Sequence, residues 1–300
     1  MEQTSMKKVG LIGLGAMGRG VAKNLLQKGF GVVGADVDPR SLEWLREQGG
    51  EPAADAQAIA QACSVVVTFV VNDRQTEQVL FGADALVPRL KPGTVVVTCS
   101  TMPPAYVRSL GGRLADHGLR LVDAPVTGGM AGAEKGTLTI MAAGERQAFE
   151  EVKPVLAAFG ARIFHLGEEP GMGSQMKVVN QLLCGIHIVA AAEGLALAKQ
   201  HGLPLDTTLE ILRSGSASSW MLGDRGPRMV REAFDEVTSA VDIFVKDMGL
   251  VVDAARESRF AAPLAHTAFL SFLAASGRGW GALDDSAVMR NYDAGPHTPD

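Results

Sequence analysis

Cysteine is scarce in this chain. Cys63, Cys99 and Cys184 are the only three in 300 residues, each lies inside an apolar segment, and none forms a CxxC pair. An odd, sparse set of this kind excludes a disulfide framework and fits a reducing compartment, the cytoplasm. A basic excess is also missing. The formal charge is −5 and the pI about 5.7, whereas a nucleic-acid-binding domain needs a basic face, so no nucleic-acid partner is expected. No stretch reaches the ~18 uncharged apolar residues of a membrane span. The best candidate, Leu182 to Ala198, is interrupted by His187 and Glu193 and reads as a buried helix. The opening MEQTSMKK lacks the apolar core of a signal peptide. The histidines (His117, His165, His187, His201, His266 and His297) make no HxxH, HxxxH or Cys/His spacing, so no metal site is expected. There is no internal repeat, and the only low-complexity segment is the polar tail Asp293–Asp300.

Glycine, by contrast, is plentiful. Its 35 residues follow no Gly-X-Y period, which excludes collagen and points to many tight turns. A composition of 47% hydrophobic and 20% charged residues is globular, and a chain of this length predicts about two domains.

The first half alternates short β-rich runs with helical stretches. Val9 to Ile12 reads as a strand, Gly18 to Lys28 as a helix, Val32 to Asp36 as a second strand, and Ser41 as the cap of a helix through Gln48. Ser64 to Val71, Thr94 to Thr98 and Arg120 to Ala124 are further apolar runs. Strands so uniformly apolar are buried on both faces, the signature of a parallel sheet covered by helices. Residues 1–169 therefore read as a doubly wound α/β domain. Residues 170–300 read as all-helical, beginning with a long helix from about Ser174 to Gln200. Further helices are predicted over Leu205 to Arg213, Met221 to Arg231, Ala240 to Arg256 and Pro263 to Ala275.

The strongest local signal is GLIGLGAMG, in which Gly13, Gly15 and Gly18 form GxGxxG between the first strand and the first helix. Gly13 permits a sharp turn, Gly15 lets backbone approach a pyrophosphate, and Gly18 lets helix and strand pack closely. Leu14, Ala16 and Met17 complete the turn at the helix N-terminus. Asp36 ends the second strand, where its carboxylate can accept from ribose hydroxyls and repel a 2′-phosphate, which points to NAD. Arg40 is near enough to offer a phosphate partner, which leaves NADP open. Val70-Val71-Asn72 and Thr101 follow later strands and are candidate cofactor contacts, or ordinary polar loops. Thr127-Gly128-Gly129 offers a hydroxyl and two unhindered amides for a carboxylate, or is a loop joining two strands. Lys177 and Asn180 share one face of the long helix with Cys184. Lys177 is either a lysine desolvated for proton exchange or a surface side chain that snorkels to water. Lys246 and Asp247 form a charged pair inside an apolar helix, with Asp242 and Lys246 at i, i+4 as an ordinary helix ion pair.

In this order, the blocks GLIGLGAMG, DAPVTGGMAGAEKGTLTIMAAG, GMGSQMKVVNQ and FVKDMGLV resemble the β-hydroxyacid dehydrogenase family over about residues 8 to 290. The family includes 3-hydroxyisobutyrate dehydrogenase and tartronate semialdehyde reductase. The resemblance implies an N-terminal Rossmann domain, a long interdomain helix and a helical domain that forms the interface of a homodimer or homotetramer. It implies Lys177 as catalytic lysine with Asn180 beside it, and Thr127, Gly128 and Gly129 as holders of the substrate carboxylate. It places Thr101 and Lys246 near the nicotinamide. VVNDRQTEQVLFG, NQLLCGIHIVAAAEGLALA and SSWMLGDRGPRMV look like the NAD-dependent L-threonate dehydrogenase branch, which oxidises C2 of a four-carbon polyhydroxy acid. That branch usually has histidine where Asn180 stands. The expected activity is reversible hydride transfer between a small hydroxy acid and NAD. Alternatives are 3-hydroxyisobutyrate dehydrogenase, a semialdehyde or glyoxylate reductase, an imine reductase, or a dinucleotide-binding protein without catalysis.

Overall fold

Runs of valine build the centre of the first half. The computed structural model describes residues 7–293; most of the opening MEQTSMKK and nearly all of the polar tail lie outside them. The chain divides between Lys177 and Val178 into two units.

In the first unit, β1 (Lys8–Ile12), β2 (Gly31–Ala35), β3 (Glu51–Pro52), β4 (Val65–Thr68), β5 (Val95–Thr98) and β6 (Arg120–Asp123) form one parallel sheet in the order β3-β2-β1-β4-β5-β6. Val65 to Thr68 pair in register with Val95 to Thr98, and every one of these side chains is buried. That is the two-sided burial that near-continuous β-branched runs require. Helices α1 (Ala16–Gln27), α2 (Pro39–Glu47), α3 (Ala56–Ala62), α4 (Asp73–Phe81) and α5 (Pro104–Ala115) connect the strands. Strand order reverses between β1 and β4, so a crevice opens at their carboxyl ends, where ligands bind in such sheets.

A second, three-stranded sheet follows, made of β7 (Val126–Thr127), β8 (Leu138–Ala142) and β9 (Gly160–His165). Helix α6 (Gly129–Lys135) joins β7 to β8, and α7 (Arg146–Phe159) joins β8 to β9. β7 pairs antiparallel with β8, and a bridge from Asp123 to Ala143 ties this sheet to the end of β6.

One local expectation changes. The cap of α2 is Asp38, whose side chain accepts from Arg40 N, with Pro39 at the first helical position. Ser41 lies buried inside that helix and accepts from Arg19 Nη2 at 3.1 Å. The long helix α8 (Met172–Gln200) is long enough to cross a membrane, and the composition of its most apolar window is apolar enough, even with His187 and Glu193 interrupting the run. Of that window, 44% is buried within the structure, as for Ile188, Ala192 and Leu195 in the core of the second unit. Core helices meet the same length test, because alanine and leucine suit both settings.

In the second unit α9 (Leu205–Ser214), α10 (Trp220–Arg231), α11 (Val241–Glu257) and α12 (Pro263–Ala275) pack with the rest of α8 around Met229, Phe244, Met248 and Phe272.

Candidate active site

The turn between β1 and α1 is shaped by its three glycines. Gly13 has φ +93°, and a Cβ there would lie 2.6 Å from Phe69 O. A Cβ at Gly18 would overlap the Gly13 carbonyl oxygen, whereas one at Gly15 would meet nothing within 4 Å. Ala16 and Met17 form the first turn of α1, which begins earlier than the sequence pattern predicts. The side chain of Leu14 is fully buried, so only its backbone faces the turn. Helix α1 has no side-chain cap, whereas Asp38, Asp55 and Asn72 cap α2, α3 and α4. Open space over Gly15 in front of an uncapped helix N-terminus fits a pyrophosphate.

Asp36 stands one residue past β2. Its Oδ2 accepts from Leu14 N at 2.5 Å and its Oδ1 from Asp38 N at 2.8 Å. The carboxylate thus ties the glycine turn to the exit of β2. Arg40 is held by Asp38 at 3.0 Å, an interaction that keeps the Asp38 carboxyl below its ordinary range.

The exits of β4 and β5 lie along the same sheet edge. Asn72 Oδ1 accepts from Gln75 N at 2.9 Å while Gln75 Oε1 accepts from Val71 N at 2.8 Å, a reciprocal arrangement close to a capping box. Ser100 Oγ donates to Val70 O at 2.6 Å and links the two exits. Thr101 follows it, half-buried, ahead of α5.

Thr127 ends β7, and Gly128 and Gly129 follow with φ +125° and +63°. This backbone is open to glycine and strained for other residues. Lys177 is 8% exposed, and its Nζ donates to Val126 O at 2.8 Å. Of its two readings, the structure takes the buried one. The root of α8 is held by Asp123, a residue to which sequence reasoning assigned no task. Its Oδ2 accepts from Ser174 N at 2.7 Å and Gly171 N at 3.1 Å, and its Oδ1 accepts from Ser174 Oγ at 2.8 Å. Burial pushes the Asp123 carboxyl up to about 6, against the pull of these hydrogen bonds. The available signal was an acidic residue closing β6 directly after the apolar pair Leu121 and Val122.

In the second unit Asn180 Nδ2 donates to Gln181 Oε1 at 2.8 Å, and Gln181 Nε2 donates to Asp247 Oδ2 at 2.5 Å. Lys246 Nζ lies 2.9 Å from Asp247 Oδ1, so the neighbouring carboxylate is an ion-pair partner of Lys246. Asp242, the i, i+4 candidate, accepts from Ser276 Oγ at 2.6 Å. Gln181, buried between the two groups it joins, is a second residue that sequence reasoning missed. Cys184 is half-buried, unlike Cys63 and Cys99, and lies 3.3 Å from Asn180 Nδ2. Among the described residues no three His, Cys, Asp or Glu side chains group to hold a metal ion.

Residues 8–167 match the NAD binding domain of 6-phosphogluconate dehydrogenase, and residues 171–292 match the NAD-binding domain described for NADP-dependent 3-hydroxyisobutyrate dehydrogenase. The chain is 43% identical to L-threonate dehydrogenase of Cupriavidus necator, with 95% of this chain and 96% of that one covered. The chain belongs to the β-hydroxyacid dehydrogenase family. L-Threonate dehydrogenase of Escherichia coli K12 is 41% identical, with 97% of each chain covered. The solved structure of 3-hydroxyisobutyrate dehydrogenase from Salmonella typhimurium superposes with a TM-score of 0.90 at 41% identity, covering 95% of this chain and 99% of that one. As a member of this family the protein is an oxidoreductase acting on CH–OH groups, with NAD as its cofactor class and a parallel-sheet domain followed by a helical one.

Proposed function

We propose that this protein oxidises L-threonate at C2 with NAD, reversibly, using Lys177 for proton exchange. The observation that carries the reading is the burial of Lys177, whose Nζ is held on Val126 O next to Thr127-Gly128-Gly129. The L-threonate dehydrogenases among its relatives support the substrate.

When bound, NAD supplies the hydride acceptor. In oxidation the neutral amine of Lys177 takes the proton of the substrate hydroxyl, and in reduction its ammonium returns it. Thr127 Oγ1 and the amides of Gly128 and Gly129 hold the carboxylate, Asn180 orients a substrate oxygen, and Lys246 adds positive charge for the anion and the cofactor. Gly13 to Gly18 cradle the pyrophosphate, with Val70, Val71, Asn72 and Thr101 along the cofactor. NAD is preferred to NADP, because a 2′-phosphate would meet Asp36 while Arg40 is engaged by Asp38.

The enzyme works in the cytoplasm, without nucleic-acid or membrane partners, as a homodimer or homotetramer formed through the helical unit. Exposed Leu264, Leu270 and Leu273 on α12 support such an interface. The test is an oxidation screen of L-threonate, D-glycerate, 3-hydroxyisobutyrate and 3-hydroxypropionate with NAD and with NADP. Turnover of L-threonate with NAD is expected. Inactivity on it with both cofactors removes this substrate. NADH binding without turnover of any acid points to a non-catalytic dinucleotide-binding protein.

A further inference from the structure

We infer that Asp123 is a positioning residue for the reaction: its carboxylate clamps the root of α8 onto β6 and so sets where Lys177 Nζ stands. The inference rests on the reading of Lys177 as the proton-exchange group.

Two rungs join the same pair of segments. The first runs from Asp123 to Ser174, and the second from Val126 O to Lys177 Nζ at 2.8 Å. The second rung lies three residues beyond the first on both segments, so they act in one register. Ser174 and Lys177 are neighbours on one helical face. The clamp is dry and fully used: Asp123 is 0% and Ser174 1% exposed, and three donors from the helix root converge on two carboxylate oxygens. Backbone and hydroxyl donors meet the charge, with no cation paired to it among the described residues.

No side chain of Gly173 lies between helix and strands to lock the root in place. A Cβ at Gly173 would overlap Met141 O and lie 2.7 Å from Asp123 O, so the first turn of α8 rests directly on the backbone of β6 and β8. Gly171, with φ +96°, turns the chain into the clamp against Pro104 and Arg108 of α5. If the Asp123 rung is loosened, the α8 root can slide or rotate on this contact. The Lys177 ammonium is then displaced from its place beside Thr127. A displacement of about 1 Å at a reacting group can cost on the order of 100-fold in rate.

The experiment uses the full-length Asp123→Asn and Ser174→Ala variants. Asparagine keeps the shape but removes the charge: one amide oxygen can still accept from Gly171 N and Ser174 N, while the Ser174 hydroxyl must turn to accept from Nδ2, so the charge-assisted bonds of the clamp are lost. Two quantities are read. One is kcat and KM on L-threonate with NAD, or on the acid that the screen selects. The other, free of any substrate assumption, is the rate at which an amine-reactive ester labels Lys177, followed by peptide mass spectrometry. For Asp123→Asn we expect kcat to fall about 10- to 100-fold, with KM and the NADH Kd changed less than about threefold. Lys177 labelling should rise about fivefold or more as the amine is freed. Ser174→Ala should move both quantities the same way, by about three- to tenfold, and decides the matter if Asp123→Asn does not fold. Either quantity staying within about twofold of wild type in a folded variant overturns the inference. Lys177→Ala separates the two ideas. If it keeps turnover, the reading of Lys177 fails and labelling alone tests the clamp. If it is inactive while the clamp variants match wild type, only the clamp fails.

Discussion

Gly18 sits so close to Gly13 that one added methyl group would overlap the Gly13 carbonyl oxygen, while a methyl on Gly15 would touch nothing. The three glycines of the turn therefore answer to different constraints: packing holds Gly13 and Gly18, while the space over Gly15 is open. Gly18→Ala is expected to destabilise the protein by about 1–3 kcal/mol through overpacking. Gly15→Ala should change stability by less than about 0.5 kcal/mol yet weaken NADH binding about tenfold, since about 1.4 kcal/mol is enough for that. Denaturant unfolding and fluorescence titration with NADH check both.

Lys177→Ala removes the group assigned to proton exchange and leaves the glycine turn untouched. Turnover should fall by about 10²- to 10⁴-fold, with NADH affinity unchanged. Steady-state assays and the same NADH titration measure it, and near wild-type turnover contradicts the assignment.

Burial raises the Asp123 carboxyl from 3.8 to about 6. Between those values the folded chain keeps a proton that the unfolded chain has released. Stability therefore falls as pH rises through this window, and the loss of about 3 kcal/mol is complete above the folded value. The clamp thus contributes position at neutral pH and costs stability. The charged form also faces the buried Cys99 thiol, which burial and Asp123 together hold well above its ordinary range. Asp123→Asn lacks this titration. Its stability relative to wild type is expected to improve from pH 4 to pH 8 in denaturant unfolding, and a flat difference across that range contradicts the assignment.

Arg225 in α10 makes a two-pronged contact with Asp285, Nε to Oδ1 at 2.9 Å and Nη2 to Oδ2 at 2.8 Å, with Asp285 fully buried. Arg225→Ala leaves that carboxylate without its main partner and should cost about 3–5 kcal/mol. The double variant Arg225→Met, Asp285→Leu should recover most of the loss, because it removes the desolvation penalty with the pair. Denaturant midpoints of the three proteins compare them.

The sheet was legible because its central strands are runs of valine, a pattern that only a sheet covered on both faces explains. β3 and β7 were not, since strands of two residues carry no period. At α2 the Asp38-Pro39 pair marks the start, because the fixed φ of proline suits the first helical position, whereas Ser41, a residue type equally common at caps, lies inside the helix. The glycine turn and Asp36 were readable as a local string. The burial of Lys177 was not, because Met176, Val178 and Val179 around it are apolar on several sides. The side of α8 that faces β7 is set by contacts from Asp123 and Val126, each 51 residues earlier in the chain.

Because α8 runs unbroken from Met172 to Gln200, Lys177 and Asn180 are mounted on a ruler with fixed graduations. Each residue adds about 1.5 Å and a turn of about 100°, so inserting one residue between them would swing Asn180 to another side altogether. Their separation can change only in such steps. A different spacing of these two side chains along the helix therefore takes a change of whole residues in the chain, or a side chain of different length at position 180.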